Sequence, residues 1–428
     1  MRIWNISGKN TRFTKVSERI VVIGGGAAGM MAAGTAGSLG AKVTLLEKNE
    51  KLGKKLYITG KGRCNVTNNC TAAEVLQNVP TNPRFLYSVL NAFSPADTMA
   101  FFEGLGCELK TERGNRVFPV SDKSASVLDA LRRYLRESHV TVQTGNVTEI
   151  FTQDDHVTGV RTENGTILCD RVVLATGGCS YPLTGSTGDG YRLAERLGHT
   201  IVPPVGSLVP LVEKGHWCGQ MQGLALKNVG VKLLNGKGKA VYEEQGELLF
   251  THFGLSGPTI LSASSHMGRK EDSFTVEIDL KPALDEKTLD ARLLRDFEQN
   301  QNRDFANSLG ELLPKSMIPV IVKRSGIDPE QKVNSITKQQ RRTLLELLKH
   351  FRVEIACKAP VEEAIITSGG VKVSEVNPGT MESKKVEGLY FAGEILDVDA
   401  YTGGFNLQIA WATGRAAGRS CAEQDGGN

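Results

Sequence analysis

The stretch IVVIGGGAAG, residues 20–29, decides the fold, because it joins a buried strand to the glycine-rich start of a helix. The β-branched residues 20–23 predict the strand. The small residues 27–39 predict a closely packed helix, and Val43–Leu46 predicts a second strand, which leads into Glu47. A strand, a helix and a second strand in this order form a βαβ unit with parallel strands. We therefore expect an α/β fold with a Rossmann-like domain.

Three glycines between the first strand and the helix, Gly24, Gly26 and Gly29, have the spacing G-x-G-x-x-G. Glycines at these positions let the backbone approach a pyrophosphate at the helix N-terminus, where free N–H groups and the helix dipole attract anions. Glu47 follows about 20 residues further on, and its carboxylate can accept hydrogen bonds from a ribose hydroxyl. This context predicts dinucleotide binding. The alternative is a tight turn with a surface glutamate.

Residues 20–41 carry no charge and are long enough to cross a bilayer. The basic residues before them also imitate the start of a signal peptide. Both interpretations are rejected, because the many glycines weaken an isolated helix and the β-branched run favours a buried strand. Residues 1–17 show no periodicity and are interpreted as a flexible extension without a function.

Composition is that of a globular protein. At ~150 residues per domain, 428 residues suggest two or three domains. A net charge of +4 and an aromatic share of 6% do not indicate a nucleic-acid partner or a membrane surface. The eight cysteines form no CxxC pair, which excludes a dithiol relay and favours a cytoplasmic location, and the seven histidines show no metal-ligand spacing. The oligomeric state stays open.

The pattern along the chain changes near residue 200. Between 140 and 174, short alternating runs and the turn signal Asn164-Gly165 predict an antiparallel β-meander. After 200, prolines and short strands appear. The stretch 284–350 is charged and poor in glycine. At its end, Leu344, Leu347, Leu348 and Phe351 have the spacing of an amphipathic helix.

This change predicts an inserted domain. The nucleotide-binding domain is expected at 18–199 and 363–424, and the inserted domain at 200–362. Within the insert, a β part is expected at about 200–282 and 351–362, and a helical part at about 283–350.

Two further segments combine glycine with polar residues. Residues 51–68 are basic and glycine-rich, and Arg63, Asn65 and Thr67 alternate there so that one side of an extended segment can line a ligand. Residues 393–408 form a second junction of strand, glycine and helix. A long cofactor that needs two helix N-termini would explain this second junction, whereas NAD alone would not require it.

Four blocks together resemble a known family. They are KLGKKLYITGKGRCNVTN (51–68), GSTGDGY (185–191), FTHFGLSGP (250–258) and FAGEILDVDAYTGGFNLQIAWATG (391–414). Over nearly all of 20–420, the sequence resembles the BaiN-like, aminoacetone-oxidase-like group of NAD(P)/FAD-dependent oxidoreductases. The resemblance implies a glutathione-reductase-like FAD domain, interrupted by an inserted β-domain that carries a helical part.

The resemblance also implies where a non-covalent FAD would bind. Its pyrophosphate would lie over the first glycine turn and its adenosine ribose on Glu47, with the Val147 backbone facing adenine. The second junction would hold the pyrophosphate and the flavin. The predicted cofactor-binding residues are Gly24, Gly26, Ala27, Ala28, Gly29, Glu47, Lys48, Lys54, Arg63, Cys64, Asn65, Thr67, Val147, Thr176, Gly177, Gly393, Glu394, Gly404, Phe405, Asn406 and Leu407. For Cys64, a packed thiol is favoured over a redox thiol. No catalytic residue is assigned.

The predicted function is that of an FAD-dependent oxidoreductase acting on a small organic substrate. An aminoacetone-like amine, with oxygen as acceptor, is one substrate class that the family implies. NAD(P)H-dependent reduction of an unsaturated or steroid-like substrate is an alternative, as are an RNA-modification flavoprotein and a non-catalytic redox sensor. A second G-x-G-x-x-G on a strand–helix step is missing, so NAD(P)H is expected only as a transient reductant. The helix that begins near Gly404 is predicted to stabilise the anionic reduced flavin.

Overall fold

The computed structural model describes residues 18–268 and 273–423. The predicted extension at 1–17 lies outside the described residues. None of the helices within the described ranges has both the length and the apolar character that a membrane span requires.

The strands are numbered in chain order: β1 (Arg19–Ile23), β2 (Lys42–Glu47), β3 (Thr67–Asn68), β4 (Leu109–Glu112), β5 (Arg116–Pro119), β6 (Thr141–Thr144), β7 (Val147–Gln153), β8 (His156–Thr162), β9 (Gly165–Leu168), β10 (Arg171–Leu174), β11 (Ile201–Ser207), β12 (Leu211–Glu213), β13 (Ala225–Asn235), β14 (Ala240–Phe250), β15 (Gly254–Ser256), β16 (Phe274–Asp279), β17 (Phe351–Lys358), β18 (Ile366–Val371) and β19 (Leu389–Phe391).

The helices are numbered in the same way: α1 (Ala27–Ser38), α2 (Lys54–Gly62), α3 (Ala72–Gln77), α4 (Tyr87–Ala92), α5 (Pro95–Gly104), α6 (Ser124–Glu137), α7 (Asp189–Arg196), α8 (Trp217–Gln220), α9 (Pro258–Ser264), α10 (Glu286–Gln299), α11 (Phe305–Ser308), α12 (Ile318–Ser325), α13 (Lys338–Lys349) and α14 (Phe405–Ala422).

A parallel sheet in the order β19-β10-β1-β2-β6 forms the centre of the first part of the molecule. β1 pairs on one side with β2 and on the other with β10, and its residues Val21 and Val22 are almost fully buried. The β7-β8-β9 meander is a separate antiparallel sheet. The predicted fold class, a Rossmann-like sheet with a β-meander, is therefore confirmed. In such sheets, ligands bind outside the carboxyl ends of the parallel strands.

Small residues bring α1 and α14 into close contact. A Cβ at Gly414 would lie 2.5 Å from the Ala28 carbonyl oxygen, and one at Gly418 would lie 2.3 Å from the Ala32 carbonyl oxygen. Only glycine allows this approach at these two positions. The contact places the N-termini of both helices beside the same cavity.

A closed barrel of β12-β15-β14-β13-β16-β17 forms a second body with its own apolar core. The chain leaves this barrel after β16, forms α10–α13, and returns through β17. The predicted amphipathic helix is α13, which buries Leu344 and Leu348. Phe351 does not belong to that helix, because it begins β17, where the alternating pattern of a strand takes over.

The connection between the two bodies passes through β11 and β18, which form an antiparallel pair. β11 lies inside the predicted insert and β18 lies just outside it, and the barrel itself starts at Leu211. The domain division at 200 and 362 stays a prediction.

Candidate functional site

The first glycine turn opens the N-terminus of α1 toward a cavity. Gly24 has φ +103°, and a Cβ there would lie 2.5 Å from the Ala175 carbonyl oxygen, so a side chain does not fit. Gly26 is the N-cap of α1, no side chain caps the helix, and a Cβ at this position would meet open space. The free N–H groups of the first turn therefore face the cavity, where they can bind an anion.

Glu47 organises the turn from the end of β2. Its Oε2 accepts the Gly25 N–H at 2.7 Å, and its Oε1 accepts the backbone N–H of Asn49 at 2.9 Å and the Asn49 side-chain amide at 2.6 Å. Glu47 also lines the cavity. Each carboxylate oxygen has more than one lone pair, so Glu47 can hold the turn and accept a ligand hydroxyl as well.

The second glycine turn opens the N-terminus of α14. Gly403 and Gly404 have φ +126° and +99°, and a Cβ at Gly404 would lie 2.4 Å from the Thr67 carbonyl carbon. Gly404 is the N-cap, and α14 has no side-chain cap either. The Asn406 side chain fixes the preceding loop, since its Oδ1 accepts the Ala400 N–H at 2.9 Å and its amide donates to the Ala400 carbonyl at 2.7 Å.

Both helix N-termini line one cavity of about 370 Å³. The predicted cofactor-binding residues on its wall are Gly24, Gly26, Ala27, Ala28, Glu47, Lys48, Lys54, Asn65, Val147, Thr176, Gly177, Gly393, Glu394, Gly404, Asn406 and Leu407. Two buried polar atoms on this wall, Asn65 Oδ1 and Thr176 Oγ1, have no hydrogen-bond partner among the residues that the structure describes. Buried polar atoms usually have partners, so a polar ligand with hydroxyl or amide groups fits this wall.

Five predicted residues are absent from the cavity wall. Gly29 packs against the Gly24 backbone, and Phe405 and Thr67 are buried, Thr67 with its hydroxyl donating to Gln408. Arg63 pairs with acidic side chains, and its guanidinium lies 4.1 Å from the Phe118 ring centroid. Burial raises the pKa of the Cys64 thiol to about 12, so its thiolate is not populated at neutral pH.

The alternation of Arg63, Asn65 and Thr67 therefore places only Asn65 on the cavity wall. The other two side chains anchor this segment outside the wall. Arg63 forms ion pairs with Glu112 and Asp122, and the Thr67 hydroxyl donates a hydrogen bond to Gln408 of α14. Lys48 lines the wall but bonds to Asp189 and, at 2.6 Å, to the Thr187 hydroxyl.

Sequence reasoning missed an ion pair on the wall between Lys55 and Glu394. Lys55 Nζ lies 2.6 Å from Glu394 Oε2 and 2.7 Å from the Ser180 hydroxyl. The other oxygen of Glu394 accepts the Thr367 backbone N–H at 2.9 Å. The basic stretch 51–68 gave a signal for Lys55, but its partner lies far away in the sequence.

Sequence reasoning also missed a hydrogen-bonded pair at the α14 side of the cavity. Tyr401 lines the wall, and its Oη lies 2.5 Å from Nε2 of His266, which follows α9. Tyr401 belongs to the YTGGFN block, but nothing in the local sequence links it to His266. In the described part of the chain, three or more His, Cys, Asp or Glu side chains do not converge on a possible metal site.

A Rossmann-like domain whose two uncapped helix N-termini meet at one cavity defines the class: the protein is an FAD-dependent oxidoreductase. Residues 18–420 match the model of the family described as the HI0933-like protein Rossmann domain. The chain belongs to this family.

Curated relatives cover almost the whole chain. The 3-dehydro-bile acid delta(4,6)-reductase of Clostridium scindens is 34% identical over 412 residues, which span 95% of this chain and 100% of the relative. The ribosomal RNA dihydrouridine synthase of Escherichia coli is 32% identical over 396 residues, which span 92% of this chain and 95% of the relative. The resemblance to the BaiN-like group is therefore confirmed.

Solved structures share the fold. The 3-ketosteroid delta1-dehydrogenase of Sterolibacterium denitrificans matches with a TM-score of 0.51 at 14% identity, covering 95% of this chain and 100% of that one. A flavocytochrome c3 fumarate reductase matches with a TM-score of 0.50 at 18% identity, covering 95% of this chain and 78% of that one.

Proposed function

We propose that this protein is a flavin-dependent reductase of a carbon–carbon double bond that is conjugated with a carbonyl group. The relatives support this class of reaction, because both of their names describe the reduction of such a bond. A double bond at position 4 of a 3-oxo steroid is conjugated with the oxo group, and the uracil double bond that becomes saturated in dihydrouridine is conjugated with a ring carbonyl. The family relationship over 95% of the chain supports the same chemistry here.

The observation that carries this proposal is the character of the cavity on the α14 side. Apolar side chains line it there, among them Leu208, Ile366, Val398 and Leu407. Tyr401 adds a hydroxyl to this apolar wall. Such a wall suits an uncharged, unsaturated ring better than the ammonium group of an aminoacetone-like amine, because the Glu394 carboxylate on it is already paired with Lys55.

We propose that FAD binds along the whole cavity. Its pyrophosphate would accept hydrogen bonds from the free N–H groups of α1. A hydroxyl of its adenosine ribose would donate a hydrogen bond to Glu47, and its adenine would lie at Val147. Its flavin would lie at the N-terminus of α14, near Gly404 and Leu407. When bound, the flavin supplies the hydride that reduces the substrate. The protein supplies orientation, exclusion of water and proton transfer.

The purified protein is expected to be yellow and to release FAD on denaturation, because the proposed binding is non-covalent. Colour that stays with the precipitated chain would contradict this. Recovery of NAD alone would contradict the cofactor assignment. The eight free cysteines fit a reducing cytoplasm, which we propose as the location.

An anaerobic two-step experiment tests the function. The flavin is first reduced with NADH, NADPH or dithionite, and the reduced protein is then mixed with a 4-en-3-one steroid, a uridine oligonucleotide or no acceptor. On mixing with the 4-en-3-one steroid, we expect the absorbance of oxidised flavin to return. The saturated product should appear in an amount equal to that of the flavin reoxidised. NAD(P)H, proposed as a transient reductant, should bleach the flavin in the first step.

The same experiment separates the remaining candidates. Aminoacetone added to the oxidised protein should bleach the flavin if the enzyme oxidises amines. Reoxidation by the uridine oligonucleotide alone would favour RNA modification, which the name of the Escherichia coli relative suggests as the second candidate. A protein that reacts with oxygen but with none of these compounds would contradict the proposed reductase and favour a redox sensor.

A further inference from the structure

The hydrogen-bonded pair Tyr401–His266 lies at the place where the barrel meets the FAD-binding body. Tyr401 comes just before the glycine turn that opens α14, and its side chain lines the cavity. His266 comes from the opposite body, in the segment after α9. Their Nε2 and Oη atoms are 2.5 Å apart. One body therefore contributes the cavity-facing hydroxyl and the other contributes the group behind it.

Other residues hold the imidazole in position. The Tyr242 ring packs against His266 with ring centroids 5.0 Å apart, while the Tyr242 hydroxyl is hydrogen-bonded to Glu244. Asp399 is buried nearby and accepts the Ser207 hydroxyl at 2.7 Å. The tyrosine of the cavity wall is thus backed by a histidine that packs against a second tyrosine ring.

Burial favours the neutral form of both members of the pair. Burial lowers the pKa of His266, and Lys358 acts in the same direction while Asp399 opposes it. Burial also raises the pKa of Tyr401, and the nearby carboxylates of Glu244 and Asp399 reinforce this. Tyr401 therefore carries its proton when a substrate arrives, and a phenolate at this position is unfavourable.

We propose that Tyr401 is the catalytic acid of the reduction and that His266 passes a proton back to it. This inference rests on the proposed function. When bound and reduced, the flavin would supply a hydride for the β-carbon of the conjugated double bond. The O–H bond of Tyr401 breaks, and its proton forms the new C–H bond at the α-carbon. The partly buried His266 donates its Nε2 proton to the Tyr401 oxygen and takes up a proton from water, so that the unfavourable phenolate does not accumulate. A nicotinamide or another two-electron donor restores the reduced flavin.

Other acids on the wall are less suited to this task. Glu47, Lys48 and Asp189 belong to the α1 side of the cavity, where Lys48 and Asp189 pair with each other. The Lys55 ammonium is held by the Glu394 carboxylate. Tyr401 is the neutral acid that the described wall offers on the α14 side.

The decisive variant is Tyr401→Phe, which removes one oxygen atom and keeps the ring. We expect reduction of its flavin by NAD(P)H or dithionite to stay within twofold of wild type. Transfer from the reduced flavin to the conjugated substrate should slow by about 10²–10⁴-fold, the usual contribution of a positioned acid. The matched control is Tyr87→Phe, which makes the same change at an exposed tyrosine away from this cavity wall. In this control variant, hydride transfer from the reduced flavin to the substrate should proceed at nearly the wild-type rate.

Three further readouts separate proton donation from a structural role. In D₂O, wild type should place one deuterium at the α-carbon on one face, and Tyr401→Phe should lose this selectivity in its residual product. Fluorotyrosine at position 401, which keeps the hydroxyl but lowers its pKa, should shift the pH profile of the second step to lower pH. In the FAD-free protein, the NMR signal of His266 Nε2 should move in Tyr401→Phe.

The possible failures are distinguishable. If wild-type protein reduces no conjugated carbonyl compound, the proposed function fails. If wild type reduces the substrate and Tyr401→Phe does so at the same rate and with the same deuterium selectivity, the assignment of Tyr401 is overturned while the function stands. If Tyr401→Phe loses FAD, the fluorotyrosine protein decides, and an unshifted pH profile overturns the assignment.

Discussion

Gly414 of α14 faces the Ala28 carbonyl oxygen of α1 so closely that a Cβ at position 414 would lie 2.5 Å from it. Ala28 belongs to the first turn of α1, whose N–H groups face the cavity. The contact therefore fixes the distance between the two helix N-termini that we propose as the binding sites of one cofactor.

Gly414→Ala should destabilise the protein by roughly 1–3 kcal/mol, since added volume in a closely packed contact forces the backbone apart. FAD binding should weaken as well, because the displaced turn is part of the proposed pyrophosphate site. Urea unfolding and FAD content measure the two effects. The control is Gly310→Ala, where an added Cβ meets nothing within 4 Å. Equal stability of Gly414→Ala and wild type would show that the helices can separate without loss.

Glu47→Ala should weaken FAD binding by roughly 1–3 kcal/mol, the scale for losing hydrogen bonds to a charged group. The carboxylate holds both the Gly25 N–H and Asn49, so the variant loosens the turn in addition to losing the proposed ribose contact. Titration of the FAD-free protein with FAD measures the change. Glu50→Ala, at an exposed position next to the site, is the control. Unchanged FAD affinity would show that Glu47 holds the turn without contacting the cofactor.

The sequence was sufficient to predict the βαβ unit and both glycine turns, because those signals are local. The strand at 20–23, the glycine spacing and the position of Glu47 all lie within one short segment. The second junction at 393–408 was also recognisable by its local pattern. Contacts between distant segments were not predictable in this way, since spacing along the chain says nothing about them.

Gly404 shows the limit of the local argument. The sequence indicates a tight turn there, but it does not reveal that the Thr67 backbone lies against it. A β-branched residue at 404 would collide with this backbone and would break the turn. The Tyr401–His266 pair shows the same limit, because its members lie 135 residues apart.

The environment of Glu375 indicates how the free energy of unfolding depends on pH. Burial alone would raise its pKa, but hydrogen bonds from the Thr200 N–H at 2.9 Å and hydroxyl at 2.7 Å, together with Lys385, lower it from 4.5 to about 2. A lowered pKa in the folded state stabilises the protein above the unfolded pKa, and this contribution is lost as pH falls from about 4.5 toward about 2. His199 faces the same carboxylate, and burial lowers its pKa. Its protonation as the pH falls therefore also destabilises the folded state.

Glu375→Gln should therefore reduce the free energy of unfolding at neutral pH and make its decline in acid less steep. Urea unfolding at a series of pH values measures both. Glu363→Gln, at an exposed position, should follow the wild-type curve. Parallel curves for Glu375→Gln and wild type would show that this carboxylate is not coupled to folding.

Lys55 and Glu394 form an ion pair on the cavity wall. We predict that this pair sets the flavin potential. Lys55→Met keeps most of the apolar stem but leaves the Glu394 carboxylate without its counter-charge. A negative charge beside the flavin makes the uptake of electrons less favourable, so the midpoint potential should fall by tens of millivolts. Adding Glu394→Gln to this variant removes both charges and should restore most of the potential. Lys54→Met removes the same charge from a lysine that donates to Asn49 instead, and its shift should be smaller. Redox titration of the three variants measures the effect, and a wild-type potential in Lys55→Met with FAD bound would contradict it.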